Sequence, residues 1–276
     1  MGVVEGKVAL ISGVARGQGR SHAVRLAEEG ANIIGFDICE NDPSVEYPLA
    51  NQADLEETIA LVEKTGQKIH AVKADVRDFA AVKRVVDDGV AEFGRLDIIL
   101  ANAGIMPVTG EQRLSQAAWH AGIDTMLTGV HNTIYAGVGH IRSGNRGGSI
   151  IITSSTAGLV GGLSDGSPGM LSYIASKHGV VGLMRAYAVQ LAGESIRVNT
   201  VHPTGVASPM ILNEAFNNYI QEFPEIAANL RNPMPTREHG MLLPEDVTEN
   251  IMFLLSDAGR FVTGQTVIFD AGFTAR

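Results

Sequence analysis

The sequence predicts an α/β fold in which helices cover both faces of a doubly wound, seven-stranded parallel sheet. Short apolar runs of strand length alternate with longer amphipathic stretches, and these runs are apolar almost throughout. Such alternation is typical of βαβ crossovers, and a continuously apolar strand indicates that both of its faces are buried. The 276 residues contain no proline- or serine-rich linker and no break in composition. We therefore expect one domain over residues 1–276.

The predicted elements follow one another in a regular order. Strands are predicted at 7–12, 32–37, 68–73, 96–101, 149–154, 196–201 and 265–269. Helices are predicted near 18–30, 53–65, 79–93, 113–141, 171–192 and 245–256. The stretch 206–243 breaks this rhythm, because four prolines interrupt its short helical pieces. We expect a functional loop there, a substrate lid at about 208–240.

Composition excludes several classes of function. With 45% hydrophobic and 18% charged residues the chain is not intrinsically disordered, and its net charge of −9 without a basic run argues against a nucleic-acid partner. A single cysteine, Cys39, excludes an internal disulfide framework. The eight histidines lack metal-ligand spacing, so no metal is predicted. No apolar run reaches the roughly 18 residues of a membrane span, and no targeting segment is recognised, so we expect a cytoplasmic protein.

A glycine-rich turn separates the first predicted strand from the first helix. Gly13, Gly17 and Gly19 have the spacing G-x-x-x-G-x-G, which differs from the common dinucleotide fingerprint G-x-G-x-x-G. Free backbone N–H groups and the helix dipole converge at such a helix start and favour a pyrophosphate. A plain tight turn has the same composition, so both interpretations stay open for this motif alone.

The end of the second strand bears on the choice of cofactor. Asp37 lies 18 residues after Gly19, near the roughly 20-residue offset at which a carboxylate accepts hydrogen bonds from an adenosine ribose. A carboxylate there repels the 2′-phosphate of NADP, whereas Arg16 would attract it. With Asp37 in place we expect NAD. The alternative is that Asp37 is an ordinary residue of the turn after the strand.

Polar residues also follow the third and fourth strands. Asp75 and Val76 come after the third strand, and Asn102, Ala103 and Gly104 come after the fourth. Both segments lie at carboxyl strand ends, the edge of an open α/β sheet where ligands bind. Each fits turn chemistry by itself. Together with the glycine loop they indicate a binding site at this edge.

Tyr173 and Lys177 form the candidate catalytic pair. Residues four apart lie on one helical face, so the two side chains can serve one site. A phenol with a pKa near 10 is a poor base at neutral pH, and a nearby cation favours the phenolate. Tyr173 is therefore a candidate general acid/base for an alcohol or carbonyl, with an ordinary exposed pair as the alternative. Ser154 and Ser155, at the end of the fifth strand, favour the catalytic interpretation.

In this order the motifs resemble the short-chain dehydrogenase/reductase family over nearly the whole chain. The resemblance rests on the loop 12–19, with Ser12 where Thr is usual, on Asp37, on the Asn-Ala-Gly motif 102–104 and on the Tyr-x-x-x-Lys pair. It implies a Rossmann-type three-layer fold with strand order 3-2-1-4-5-6-7. It also implies an enzyme that transfers hydride between a CH–OH group and a nicotinamide cofactor. A homotetramer is implied as well.

The resemblance further implies a role for each site residue. Ser155 would hydrogen-bond the substrate oxygen, Tyr173 would move the proton, and Lys177 would assist Tyr173 and hold the nicotinamide ribose. The implied cofactor contacts are Gly13, Arg16, Gly17, Gln18, Gly19, Asp37, Ile38, Asp75, Val76, Asn102, Ala103, Gly104, Tyr173, Lys177, Pro203, Thr204, Gly205, Val206 and Ser208.

Several local strings are similar to an actinobacterial, carveol-dehydrogenase-like branch of the family, often called mycofactocin-coupled. They are 15–23, the insertion 45–50, 177–185 and 202–206. This similarity implies a hydrophobic secondary alcohol such as a cyclic terpenol, its ketone as the product, and NAD that is often held tightly. The apolar lid also favours a hydrophobic substrate. A 3-oxoacyl-(acyl-carrier-protein) reductase has much the same motifs and remains the alternative.

Besides Ser12, the sequence departs from the family pattern at three positions. Thr204 replaces a usual Gly, and Ser208 replaces a usual Thr but keeps the hydroxyl. Met126 stands where the family usually has an Asn that helps hold a water of the proton relay. Either a backbone carbonyl or a neighbour such as Asn132 serves that water, or turnover is impaired. If turnover is impaired, the alternative to an enzyme is a non-catalytic protein that binds NAD.

Overall fold

The computed structural model describes residues 2–161, 164–235 and 240–276. The strands are β1 (Val8–Ser12), β2 (Asn32–Asp37), β3 (Ile69–Lys73), β4 (Ile98–Ala101), β5 (Gly148–Thr153), β6 (Ile196–Pro203) and β7 (Thr266–Phe269). The helices are α1 (Gly17–Glu28), α2 (Gln52–Glu63), α3 (Phe79–Phe93), α4 (Gln116–Ile123), α5 (Gly129–Ser143), α6 (Pro168–Leu191), α7 (Glu214–Glu222), α8 (Pro224–Asn229) and α9 (Pro244–Leu255). The strands form one parallel sheet in the order β3-β2-β1-β4-β5-β6-β7, which confirms the predicted fold.

Two apolar cores cover the two faces of the sheet. Successive side chains of a strand point to opposite faces, and in β1 Leu10 packs into one core while Ile11 packs into the other. The first core also receives residues of α3, α5 and α6, and the second those of α1, α2 and α9. Fully burying one such aliphatic side chain stabilises the fold by roughly 1.5–3 kcal/mol. Three layers result, as the alternation of elements predicts.

The two edge strands differ from the sequence prediction. β1, β2, β4, β5 and β6 are buried along most of their length, as their apolar runs predict. β3 and β7 each pair with one neighbour, and Val72 and Ile268 are 37% and 44% exposed. The expectation that every strand is buried on both faces is therefore wrong for these two. An apolar run shows that a strand is hydrophobic, but it does not show whether the strand has a neighbouring strand on both sides.

The predicted helix at 113–141 is also interrupted. A 3₁₀ turn at Glu111–Leu114 precedes α4, and a π turn at Asp124–Thr128 separates α4 from α5. A π turn adds one residue to a helical turn and often lies at a functional site. Met126 lies in this turn with its side chain fully buried. A 3.6-residue periodicity does not register such an extra residue.

Neither a membrane span nor a metal cluster is found among the described residues. No helix in the three described ranges is both long and apolar enough to cross a bilayer. In the same ranges no group of three or more His, Cys, Asp and Glu side chains is placed to hold a metal ion. The carboxyl ends of β1, β4 and β5 meet at one edge of the sheet, and this edge carries the predicted site residues.

His22 is a neutral histidine buried between α1 and α9. Its Nδ1 lies 2.8 Å from Thr248 Oγ1, and that hydroxyl donates its only proton to the Pro244 carbonyl. Nδ1 therefore carries the imidazole proton. His22 Nε2 is buried and has no hydrogen-bond partner in the part of the chain that the structure describes. Burial lowers the pKa of His22 to about 3, since a charged imidazolium would lose its hydration there.

We expect His22 to make stability depend on pH. Below pH 6.5 the unfolded chain protonates this histidine while the folded protein does not, so stability falls as the pH falls towards 3. Between pH 6.5 and about 4.5 the loss from this group is roughly 2–3 kcal/mol. Urea unfolding of His22→Asn should show a correspondingly shallower pH dependence than wild type. His120→Asn, at an exposed position, is the control, and equal slopes in all three proteins would contradict the assignment.

Candidate active site

A chain of hydrogen bonds joins the carboxyl ends of β1, β4 and β5. Ser12 Oγ accepts from the backbone N–H groups of Asn102 and Ala103, each at 3.1 Å. Asn102 Nδ2 donates to the carbonyls of Ser12 at 3.2 Å and Gly13 at 3.4 Å. Asn102 Oδ1 accepts from Thr153 Oγ1 at 3.2 Å. One asparagine thus fixes three strand ends relative to one another.

Lys177 extends this chain from α6. Its Nζ donates to the Thr153 carbonyl at 2.8 Å, and its own backbone carbonyl accepts from Ser154 Oγ at 2.8 Å. The side chain is buried, and this burial lowers the pKa of Lys177 to about 8. A cation is therefore held at the end of β5 in a site with little access to water.

Tyr173 lies one helical turn before Lys177, and Lys177 Nζ is 5.6 Å from the centre of its ring. Burial raises the pKa of Tyr173, and a hydrogen bond with Ser155 opposes that rise. The expectation that Lys177 lowers this pKa is not met in the protein alone. The ammonium lies over the ring and donates to Thr153, so desolvation of the phenolate dominates.

Ser155 precedes the 3₁₀ turn at Thr156–Gly158, and its Oγ accepts from Ala157 N–H at 3.1 Å. The Ser155 hydroxyl is the donor in the hydrogen bond that opposes the rise in the pKa of Tyr173. The Ser155 carbonyl lies 2.8 Å from His202 Nδ1, so this ring nitrogen is the donor, and Nε2 accepts from Thr200 Oγ1 at 2.8 Å. Burial lowers the pKa of His202 and favours this neutral tautomer. We did not predict a role for His202, although a histidine within an apolar strand was a usable signal.

Ser155, Tyr173 and Lys177 share one pocket, as their spacing predicts. Its empty volume is about 520 Å³. The rest of the lining is mixed, because polar residues at the ends of β4, β5 and β6 stand beside apolar side chains. The apolar lining residues are Ile105, Met106, Met126, Val206, Met210 and Ile211. Such a pocket can orient one oxygen of an otherwise hydrophobic molecule.

A larger cleft of about 930 Å³ adjoins the catalytic pocket and runs past the glycine loop. Most of the predicted cofactor contacts line it: Gly13, Arg16, Gly17, Gln18, Asp37, Ile38, Asp75, Val76, Asn102, Ala103, Gly104 and Ser208. Pro203, Thr204 and Val206 line the catalytic pocket instead. Gly19 and Gly205 line neither space. Gly205 packs against Met241, and Gly19 lies beneath the loop, where a Cβ atom would approach the Gly13 carbonyl oxygen to 1.9 Å.

The cleft fits the diphosphate and ribose of a dinucleotide. Gly13 has φ +70°, and a Cβ atom there would lie 2.8 Å from Ala103 Cα, so the loop needs glycine. Helix α1 starts at Gly17 without a side-chain cap in the described structure, so its first N–H groups are free for an anion. Asp37 Oδ2 accepts from Ala15 N–H at 3.0 Å, and burial raises the pKa of this carboxyl group. Backbone donors and one carboxylate thus face the same space.

The insertion after β2 is fastened over this cleft by two arginines. Arg16 Nη2 donates to the Pro48 carbonyl at 2.7 Å, so this guanidinium contacts the insertion and keeps its charge. Arg77 donates to Asp75 at 2.6 Å and to Asp42, just before the insertion 45–50, at 2.7 Å. No motif predicts the Arg77 bridge, because its partners are two and 35 residues away.

The predicted lid at 208–240 contains α7 and α8, and its residues 236–239 lie outside the described residues. Arg113 links α7 to the loop before α6, since it donates to Asp165 at 3.2 Å and to Glu222 at 2.6 Å. Thr204 Oγ1 donates to Asn232 Oδ1 at 2.8 Å, which gives the departure from Gly a contact in the lid. The Arg113 link was not predicted.

Met126 and Asn132 lie in different surroundings. A Cβ atom on Gly104 would lie 3.6 Å from Met126 Cγ and 3.8 Å from Lys177 Nζ, and both side chains line the catalytic pocket. Asn132 Nδ2 donates to the Val76 carbonyl at 2.9 Å, which uses one of its two amide protons. That Asn132 or a backbone carbonyl serves a relay water stays a prediction.

Comparison with known proteins assigns the family. A family model described as enoyl-(acyl-carrier-protein) reductase matches residues 13–274. An uncharacterized oxidoreductase of Mycobacterium tuberculosis is 48% identical over 272 residues, which cover 98% of this chain and 97% of that protein. The chain belongs to the short-chain dehydrogenase/reductase family. It is therefore an oxidoreductase that acts on CH–OH groups, as predicted.

Two further members of the short-chain dehydrogenase/reductase family match over the full length of both chains. The (−)-trans-carveol dehydrogenase of Rhodococcus erythropolis is 43% identical over 285 residues. The crystal structure of carveol dehydrogenase from Mycobacterium avium in complex with NAD superposes with a TM-score of 0.91 at 43% identity. These matches confirm the predicted resemblance to the carveol-dehydrogenase-like branch.

Ser12 should be necessary for the shape of this edge. Ser12→Ala leaves two buried backbone N–H groups without an acceptor, so we expect a loss of about 1–3 kcal/mol in the free energy of unfolding. Ser12→Thr restores the hydroxyl that is usual in the family and is the matched control, expected within ~1 kcal/mol of wild type. Urea unfolding measures both. A wild-type value for Ser12→Ala would show that the Ser12 hydroxyl does not hold the strand ends.

Proposed function

We propose that the protein interconverts a hydrophobic secondary alcohol of cyclic terpenol type and its ketone, with NAD as the hydride carrier. The observation that carries this proposal is the catalytic pocket, which Ser155, Tyr173 and Lys177 line together with apolar side chains of the segment 105–106 and of the lid. That pocket adjoins the cleft lined by the glycine loop and Asp37. The 43% identity to the carveol dehydrogenase of Rhodococcus erythropolis supports the substrate class.

The cofactor is NAD. Related structures contain it, including carveol dehydrogenase from Mycobacterium avium. The Asp37 carboxylate suits ribose hydroxyls and disfavours a 2′-phosphate. Arg16 keeps its charge while it donates to the Pro48 carbonyl, so the preference for NAD rests on Asp37 and on the related NAD complexes. The hydrogen bonds of Arg16 and Arg77 to the segment after β2 also support slow release of the nucleotide.

The homotetramer stays a prediction from the family resemblance.

The side chains divide the chemistry between them. Bound NAD supplies the hydride acceptor or donor. Ser155 would turn its hydroxyl from Tyr173 to the substrate oxygen and hold that oxygen beside the phenol. Because burial raises its pKa, Tyr173 is protonated at neutral pH and is ready to donate a proton to a ketone. For alcohol oxidation Tyr173 must first lose that proton, and Lys177, with its Nζ 5.6 Å from the ring centre, is the residue that we propose assists this loss.

Met126 supports a second candidate, an NAD-binding protein without turnover. Its side chain lies close to Lys177, and a thioether is a weak hydrogen-bond acceptor that cannot donate. If proton exchange with solvent requires a polar group at this position, the Tyr173 proton has no exit on this side. The two candidates differ in a single observable, which is multiple turnover by the wild-type protein.

Tyr173→Phe tests the proposal. Removal of the phenol should lower kcat for carveol oxidation by about 10²–10⁴-fold while NAD affinity stays near wild type, because the ring and Lys177 remain. Tyr219→Phe is the matched control. Its hydroxyl is buried and has no hydrogen-bond partner among the described residues, so activity should be retained.

Two results would decide against the proposal. Normal turnover by Tyr173→Phe would remove Tyr173 from the general acid/base role. A wild-type protein that binds NADH but turns over no terpenol, together with turnover by Met126→Asn, would establish the second candidate instead.

A further inference from the structure

His202 is a fully buried histidine whose hydrogen bonds the proposed chemistry does not use. It lies near the end of β6, and its side chain is shielded from solvent. Its Nδ1 donates to the Ser155 carbonyl at 2.8 Å, and its Nε2 accepts from Thr200 Oγ1 at 2.8 Å. The ring is therefore fixed by two protein partners, one of which is the backbone of a site residue.

The Ser155 carbonyl is held from two sides. The Gly158 N–H donates to it at 2.9 Å within the 3₁₀ turn at Thr156–Gly158, and His202 donates to it from β6. On the side of α6 the turn is closely packed, because a Cβ atom on Gly158 would lie 2.5 Å from the Lys177 carbonyl oxygen. The imidazole of His202 thus opposes any movement of the Ser155 carbonyl away from β6.

The orientation of this carbonyl is coupled to the position of the Ser155 hydroxyl. Ser155 has an extended backbone, with φ −169° and ψ 166°, and its Oγ accepts from the Ala157 N–H at 3.1 Å. If the carbonyl turned away from His202, the ψ angle of Ser155 would change and the Ala157 N–H would move relative to Oγ. The hydroxyl would then lose its alignment with Tyr173. A displacement of about 1 Å in a reacting site can lower a rate by about 10²-fold.

We propose that His202 is a positioning residue that holds Ser155 in its reactive orientation through the hydrogen bond from Nδ1 to the Ser155 carbonyl. The inference rests on the proposed function, because it assumes that Ser155 binds the substrate oxygen beside Tyr173. In the described structure His202 is not among the residues that line the cleft or the catalytic pocket. It therefore acts through Ser155 and not by contact with NAD or substrate.

Two amide substitutions separate the roles of the two ring nitrogens. In His202→Asn the side-chain NH₂ takes the place of Nδ1, so the donor to Ser155 is kept and the acceptor for Thr200 is lost. In His202→Gln the amide oxygen takes the place of Nε2, so the acceptor for Thr200 is kept and the donor to Ser155 is lost. The kcat for carveol oxidation should stay within about threefold of wild type in His202→Asn and fall at least about tenfold in His202→Gln.

A double-mutant cycle shows whether the effect passes through Ser155. Ser155→Ala removes the hydroxyl and should lower kcat about 10²–10³-fold. In that background His202→Gln should change kcat by less than about twofold, because residues that act as one unit do not have additive effects. Isothermal titration with NAD should give the wild-type affinity in every variant, since His202 and Ser155 do not line the larger cleft.

Other outcomes overturn the inference in distinct ways. Equal losses of kcat in His202→Asn and His202→Gln, in step with their melting temperatures, would leave His202 a structural role only. A further tenfold loss in the Ser155→Ala background would show that His202 acts elsewhere. If His202→Gln does not fold, the folded His202→Asn decides: a near-wild-type kcat supports the inference, and a tenfold loss overturns it. A wild-type protein that turns over no terpenol defeats the proposed function, and this inference fails with it.

Discussion

The hydrogen-bond chain from Ser12 through Asn102 and Thr153 to Lys177 is the constraint on which the site depends. It joins three strand ends to α6, so the glycine loop and the catalytic helix are held in one frame. Parallel strands alone bring their carboxyl ends to one edge, but they do not set the distance between a loop on β1 and a side chain on α6. Asn102 sets that distance, because its amide bonds to β1 on one side and β5 on the other.

Two irregular segments, one on each side of the site, are fastened by buried or half-buried arginines. Arg77 ties Asp42, in the segment after β2, to the end of β3, and Arg113 ties the lid to the loop before α6. Arginine suits this role because its planar group can bond two carboxylates at once. The lid adds Met210 and Ile211 to the pocket that contains Tyr173 and Lys177. Burial raises the pKa of this tyrosine and lowers that of the lysine.

The sequence predicted features that depend on local pattern and missed those that depend on distant partners. The apolar runs predicted the seven strands of the described structure. The motif spacing predicted that Tyr173, Lys177 and Ser155 share one pocket. The π turn at Asp124–Thr128 was missed because periodicity does not count an extra residue. The pKa of Tyr173 was misjudged because the sequence shows the nearby cation but not the desolvation. Bridges such as Arg113 to Glu222 connect residues that no motif relates.

The proposed oxidation of a hydrophobic secondary alcohol with NAD is tested by kcat/KM measured over a small matrix of substrates and cofactors. The matrix pairs carveol with NAD or NADP, and an acetoacetyl thioester with NADH or NADPH. We expect carveol with NAD to give the highest value, by at least about tenfold, since the lid adds apolar side chains to the pocket and Asp37 disfavours a 2′-phosphate. A higher value for the thioester with NADPH would contradict it and favour a 3-oxoacyl reductase.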